Sequence, residues 1–320
     1  MWISDLEFIS ASGGPNSQFL HPLLPERIQV MKLITWEKRI EEAYQLMSPC
    51  RLCPRNCKAR RLEGKKGFCG IAARAVVSSY GPHFGEERPL VGRHGSGTLF
   101  FAGCNLGCLF CQNYTISHYK EGEEVAVETL ANIMLALQAS GCHNINFVTP
   151  THVTPQIMEA LAIARDKGLR APTVYNCGGY ESVETLRLLE GVIDIYMPDF
   201  KYSEGRWAKR FSGAEDYPEV ARAAFREMHR QVGDLVIEEG LAVRGLLVRH
   251  LVMPNGVAGS RAVIDFLAKE ISPNTYLNVM EQYHPCYRAR EFAEINRRIT
   301  HDEYMEVYLY AKQKGLRLAE

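Results

Sequence analysis

Cys104, Cys108 and Cys111 stand in Cys-x3-Cys-x2-Cys spacing directly after the strand-like run Gly97-Thr98-Leu99-Phe100-Phe101. Three thiols on one short loop suit an iron–sulfur cluster, because thiolates are its usual ligands. A four-iron cubane takes four external ligands, so three cysteines leave one iron open to another molecule. Zinc sites more often use two Cys-x2-Cys pairs, and no second pair follows within reach. A disulfide reading fails because three cysteines cannot pair off and spacings this tight strain a bridge.

Upstream, Cys50, Cys53, Cys57 and Cys69 form Cys-x2-Cys-x3-Cys-x11-Cys, with Pro54 and Gly67 at the turns. Four thiolates allow a closed zinc site or a second iron–sulfur cluster. The module is basic, with Arg51, Arg55, Lys58, Arg60, Arg61, Lys65 and Lys66. Such a face would dock an acidic electron donor if it carries a cluster, or a protein or RNA if it carries zinc; a plain solvated face is equally allowed. Cys142, Cys177 and Cys286 stand apart and read as small buried hydrophobes.

The elements that must position these groups follow a rhythm. Strand-like runs at 98–101, 145–148, 173–175, 192–196, 246–252 and 275–279 alternate with helical segments at 127–138, 155–167, 184–189, 218–232, 260–269 and 301–314. Strand–helix alternation argues for parallel strands joined by crossovers. A doubly wound open sheet and an incomplete barrel both satisfy it, and in either the ligands gather at the carboxyl ends of the strands. Unusual residues lie at those ends. Thr149 and Thr151 offer oxygen acceptors to an ammonium. His152 beside them is a potential acid or hydrogen-bond donor, or simply hydrogen-bonded structure. Asn176 offers both donor and acceptor. Asp199 and Lys201 share a face by period two and suit hydroxyls and a carboxylate. Arg249 sits in a mostly apolar run and must find an anion. His284 follows the last strand.

The segment Phe101-Ala102-Gly103-Cys104-Asn105-Leu106-Gly107-Cys108-Leu109-Phe110-Cys111-Gln112-Asn113 resembles the signature of radical S-adenosylmethionine (SAM) enzymes, and most resembles the pyruvate-formate-lyase-activating-enzyme-like proteins. The resemblance runs from about Cys50 to Tyr310. It implies an α/β fold, a partial (βα)6 TIM-like barrel with a small N-terminal cysteine-rich module. It also implies a [4Fe–4S] cluster on Cys104, Cys108 and Cys111 that binds SAM at its open iron. Gly103 and Gly107 would bring main-chain amides to the cluster, and Phe110 would pack on the adenine. Thr149 and Thr151 stand where the family usually has Gly-Gly-Glu for the SAM amino group, and here no carboxylate is present. Asn176, Asp199, Lys201, Arg249 and His284 would hold the ribose and methionyl carboxylate. The implied activity is reductive cleavage of SAM to a 5′-deoxyadenosyl radical, with a glycyl radical enzyme as the activated partner and flavodoxin or ferredoxin as electron donor. Modification of a small molecule or peptide is the second enzymatic alternative, and a non-catalytic electron-transfer or partner-binding protein the third.

Composition sets the remaining bounds. The chain has 320 residues, equal numbers of acidic and basic residues, and 46% hydrophobic residues. Zero net charge gives no global pull toward nucleic acid or an anionic membrane. No apolar run approaches the ~18 residues of a membrane span. Ten cysteines without a convincing signal peptide suit metal ligation in a reducing cytoplasm. The expected organisation is an arm and helix over 1–48, the cysteine module over 49–75 and the barrel over 76–320. The first ~32 residues are read as an extended arm, with Met31 an alternative start.

Overall fold

The apolar runs assemble into one sheet in chain order. The structure, a computed structural model, describes residues 26–319, with side chains from residue 36 onward. Its strands are β1 (Ala75–His83), β2 (Ser96–Phe101), β3 (Glu123–Val125), β4 (Ile145–Val148), β5 (Thr173–Cys177), β6 (Ile195–Pro198), β7 (Val236–Glu238), β8 (Leu241–Leu251), β9 (Tyr276–Met280) and β10 (Arg317–Leu318). The sheet order is β10-β9-β8-β6-β5-β4-β2-β1-β3, and β7 pairs with β8. From β2 to β10 every neighbouring pair along this order is parallel.

That order decides between the two architectures. A doubly wound sheet reverses its strand order at a switch point. Here each crossover steps the same way, so the strands wrap as a partial barrel of six βα units, with β10 a short seventh parallel strand. The barrel is not closed, because the order ends at β10 on one side and at β3 on the other. β1 lies antiparallel to β2, and β3 antiparallel to β1.

The helices are α1 (Glu26–Gln45), α2 (Arg88–Val91), α3 (Tyr114–Ser117), α4 (Val127–Ala139), α5 (Thr154–Asp166), α6 (Val183–Leu188), α7 (Gly205–Ser212), α8 (Tyr217–Val232), α9 (Ser260–Phe266) and α10 (His301–Gln313). Helices on the outer face explain the strand composition. β4, Ile145-Asn146-Phe147-Val148, is buried at all four positions, as strands covered on both faces must be. α10 begins with a capping box in which Thr300 and Glu303 satisfy each other's main-chain amides.

Several expectations shift. Residues 26–32 belong to α1 rather than to an extended arm; the expectation for 1–25 lies outside the described residues. The fourth predicted strand moves toward Pro198 because Asp194 instead binds Thr173, through its main-chain amide and its hydroxyl, at 2.8 Å each. β1, β3, β7 and β10 carried no expectation. The described residues 26–37 fall in a unit of their own, and everything below lies in the unit of residues 38–320. Among the described residues no helix is long and apolar enough to cross a membrane.

Candidate active site

The carboxyl ends of the parallel strands open into a cavity of about 680 Å³. Cys104, Cys108, Cys111 and Phe110 enter it from the loop after β2, Thr149 from β4, and Asn176 and Cys177 from β5. Asp199 and Lys201 come from the end of β6, Arg249 from β8 and Asn278 from β9. The strand register explains the convergence: Val148 pairs with Asn176, Asn176 with Met197, and Asp199 bridges to Arg249.

Each of the three sulfurs has its own donor. The Leu106 amide donates to Cys104 Sγ at 3.3 Å, with Gly107 behind it. Ser212 Oγ donates to Cys108 Sγ at 3.1 Å, and Ser117 Oγ to Cys111 Sγ at 3.2 Å. Burial pushes the free Cys108 thiol up to about 12 against the opposing charge of Lys201; a coordinating metal deprotonates such a thiol outright. Donors aimed at all three sulfurs fit thiolate ligands. Among the described residues no three Cys, His, Asp or Glu side chains converge on a single ion position. Ligands of a four-iron cluster bind separate irons, so a trio spread around a cavity suits a cluster better than one ion.

Gly103 departs from its expectation, while the main chain at Gly107 acts on the Cys104 sulfur. The Gly103 amide bonds Ile116 O at 2.9 Å. Glycine is required there because a Cβ would lie 2.6 Å from Cys69 O, at a φ of +83°.

The Asp199–Lys201 pair is a largely buried contact of 2.5 Å rather than a surface ion pair. Burial alone would lower the Lys201 ammonium, but Asp199 and the Cys108 sulfur raise it well above the usual lysine range.

Arg249 is corrected in its partner. Its Nε and Nη2 bind the two oxygens of Glu87 at 2.8 and 2.6 Å, and Nη2 also bonds Glu86. Asn278 Nδ2 reaches Glu87 at 2.7 Å. Both carboxylates come from the segment between β1 and α2, which the sequence did not single out. The cavity wall therefore carries the carboxylates missing near Thr149.

Thr149 lines the cavity at φ +59°, a left-handed conformation that a β-branched residue rarely takes. Its amide bonds Asn176 O at 2.9 Å, which holds the turn. Such strain gathers at functional sites. Thr151 and His152 turn away from the cavity and are fully buried. Thr151 Oγ1 donates to Glu181 at 2.7 Å, and His152 Nε2–H donates to Ala102 O at 2.8 Å. The Thr-Pro-Thr turn points only Thr149 inward. Phe110 is buried edge-on to Tyr202 and Tyr283 while lining the cavity. His284 stands at the rim, its Nδ1 3.4 Å from Gln112 Nε2.

The sequence profile of the radical SAM superfamily matches residues 98–236. This chain carries a radical SAM superfamily domain over those residues. Uncharacterized protein MJ0674 of Methanocaldococcus jannaschii is 34% identical over 292 residues, covering 88% of this chain and 77% of that one. Uncharacterized protein MJ0808 of the same organism is 25% identical over 259 residues, covering 75% and 71%. A solved radical SAM methyltransferase from Sphaerobacter thermophilus overlays with a TM-score of 0.48 at 13% identity. That overlay covers 69% of this chain and 65% of the methyltransferase, so this chain spans just under two thirds of that structure. A radical SAM domain implies a [4Fe–4S] cluster and SAM, and the 104–111 loop has the donor set for the cluster.

Behind the radical SAM cavity, Glu181 is fully buried, and burial pushes it up to about 8 against hydrogen bonds from Thr151 and Tyr175. Its folded value lies above the unfolded one, so its stabilisation is full at low pH and lost as pH rises through about 8. His152 has the opposite sign. Burial and then Arg61 push it down to about 3, so its stabilisation is present above 6.5 and lost as pH falls. Glu181→Gln is therefore expected to flatten the alkaline limb alone, sparing more than ~1 kcal/mol between about pH 6 and about pH 9. Urea melts at the two pH values check this; an unchanged alkaline slope would show that Glu181 is not the group responsible.

Proposed function

We propose that this chain is a radical SAM oxidoreductase that generates a 5′-deoxyadenosyl radical to take a hydrogen atom from a polypeptide, a glycyl radical enzyme being the foremost candidate. When bound, the cluster and SAM supply one-electron cleavage of the sulfonium C–S bond, giving methionine and the radical that abstracts the hydrogen. The observation that carries the reading is the single cavity shared by three donor-supported sulfurs, the Asp199–Lys201 pair and the Glu86–Glu87–Arg249 wall.

The chain's own residues would divide the work by charge. Cys104, Cys108 and Cys111 would hold the cluster. Lys201 suits the methionyl carboxylate, Asp199 and Asn176 the ribose hydroxyls, and the strained Thr149 turn offers oxygens toward the amino group. Arg249 carries one positive charge against two carboxylates, so the wall's surplus negative charge suits the ammonium. Phe110 suits the adenine face, and His284 the rim near the sugar.

An aromatic surface beside the cavity supports a polypeptide substrate over a small molecule. Tyr287 stacks on Tyr114 at 5.5 Å and on His118 at 4.3 Å, with Tyr119 exposed alongside. For the electron donor, a flavodoxin or ferredoxin, Lys58, Arg60, Lys65 and Lys66 are exposed on the cysteine module. Arg61 is buried and Arg55 is spent on internal contacts, which narrows the expected basic face. A reducing cytoplasmic setting fits this chemistry.

The test is anaerobic reconstitution followed by SAM and dithionite. Wild type is expected to form 5′-deoxyadenosine, and the Cys104→Ala/Cys108→Ala/Cys111→Ala variant none. An iron-loaded wild type that leaves SAM intact would sink the enzyme reading. Deuterium passing into 5′-deoxyadenosine from a glycine-labelled polypeptide would favour activation; transfer only from labelled small molecules would overturn it.

A further inference from the structure

The superfamily match begins at residue 98, which leaves Cys50, Cys53, Cys57 and Cys69 without a role. We propose that these four cysteines hold a second [4Fe–4S] cluster that braces the 104–111 loop. The site stands on its own observations; the bracing role rests on reading Cys104, Cys108 and Cys111 as cluster ligands.

The chain folds back to gather the sulfurs. The Cys50 amide bonds Ala59 O at 2.9 Å, and the Lys58 amide bonds Cys50 O at 3.0 Å, which sets Cys50 beside Cys57. A Cβ on Gly67 would lie 3.1 Å from Cys57 Sγ and 3.6 Å from Cys69 Sγ, so both sulfurs face one point. The main chain at Arg55, Ala59 and Ile71 favours the thiolate forms of Cys53, Cys57 and Cys69, and the neutral Cys69 thiol donates to Ile71 O at 3.9 Å. Main-chain N–H groups near a sulfur stabilise the thiolate more than the thiol.

Charge points the same way. Arg61 is 1% exposed, with Nη1 3.9 Å from Cys50 Sγ. Its remaining bonds go to Ile71 O and Ala72 O at 2.9 to 3.1 Å, and among the described residues no carboxylate is hydrogen-bonded to it. A buried guanidinium without a counter-charge is costly. Four thiolates around a [4Fe–4S]²⁺ core leave a net charge of −2 by ligand count. Arg61 would offset half of it. Four neutral thiols would leave Arg61 uncompensated.

The module grips the neighbouring loop. Arg55, between Cys53 and Cys57, donates to Asn105 O at 2.8 Å, Leu106 O at 2.9 Å and Ser212 O at 2.6 Å. Its guanidinium lies 4.0 Å over the Phe68 ring, next to Cys69. Ser212 is the donor to Cys108, so Arg55 holds both the loop and one of its supports.

The decisive protein is the Cys104→Ala/Cys108→Ala/Cys111→Ala variant, which empties the first site and leaves the module intact. Metal analysis of the folded variant is expected to find about four irons with matching sulfide per chain. Cys53→Ser added to it should remove that metal. If the added substitution prevents folding, X-ray absorption on the triple variant should show sulfur ligands only. Zinc in place of iron, no metal above the buffer blank, mixed nitrogen or oxygen ligation, or two disulfides among the four cysteines would overturn the site. In the otherwise native chain, Arg55→Leu should speed chelator removal of the 104–111 iron several-fold while the module keeps its metal. An unchanged rate would overturn the bracing role. These readouts do not use SAM turnover, so they fail separately from the proposed activity.

Discussion

Lys201→Met is expected to load a cluster normally and to make it markedly harder to reduce. The Lys201 ammonium is largely buried, 2.5 Å from Asp199, and its charge is felt at Cys104 and Cys108. A reduced cluster on three thiolates gains negative charge, which a nearby cation stabilises. Removing that cation at an effective dielectric near 20 costs on the order of 1–3 kcal/mol, roughly 40–130 mV in a one-electron couple. Redox titration followed by the cluster's paramagnetic signal measures this without SAM. Lys201→Arg keeps the charge and should keep most of the potential. A Lys201→Met potential within error of wild type would mean that the lysine serves SAM alone. Asp199 would also lose its partner, so Asp199→Asn alongside Lys201→Met should recover stability and part of the potential.

Lys201 and Asp199 were readable because their spacing and strand-end position are local properties. The parallel strands were readable for a similar reason. Runs such as Ile145-Asn146-Phe147-Val148 are apolar on both faces, and only a doubly covered sheet asks for that. The choice between barrel and doubly wound sheet was not readable, because it depends on which strands become neighbours. Glu86 and Glu87 escaped notice because an acidic pair in a connecting segment has no periodic signal. What places them in the cavity is the antiparallel pairing of β1 on β2, a long-range event. Arg249 shows both sides: its need for an anion followed from the apolar run around it, while the identity of that anion depended on β1. Thr151 illustrates a subtler limit. It sits two residues from Thr149, and the strained φ at Thr149 rotates the two threonines into different environments. Arg61 looked like one more surface charge in a basic stretch, because sequence does not show which arginine folds under the thiols.

Arg249→Met carries the second large effect, and it separates structure from function in the cavity wall. Glu86 and Glu87 side chains are 6% and 2% exposed, and Arg249 is their common partner. Burial acts to raise the Glu87 carboxyl, but hydrogen bonding and charge from Arg249 outweigh it and hold it below the usual range. Losing one member of a buried ion group costs about 3–5 kcal/mol, because the remaining charges stay desolvated. The variant should therefore melt well below wild type. The pH dependence adds a sign. In wild type the depressed Glu87 stabilises above its unfolded value and loses that contribution as pH falls. Without Arg249 the buried carboxylates are pushed up, so their stabilisation is lost as pH rises. The gap between variant and wild type should widen from about pH 5 to about pH 8. Glu86→Gln/Glu87→Gln added to Arg249→Met should recover most of the loss, since a neutral wall can be desolvated cheaply. Glu86→Gln alone leaves the paired Glu87–Arg249 core, so its expected effect is on ligand rather than on fold. SAM affinity by calorimetry should fall several-fold if the surplus carboxylate meets the SAM ammonium. Unchanged affinity would assign the triad to stability alone and return the amino group to the Thr149 turn.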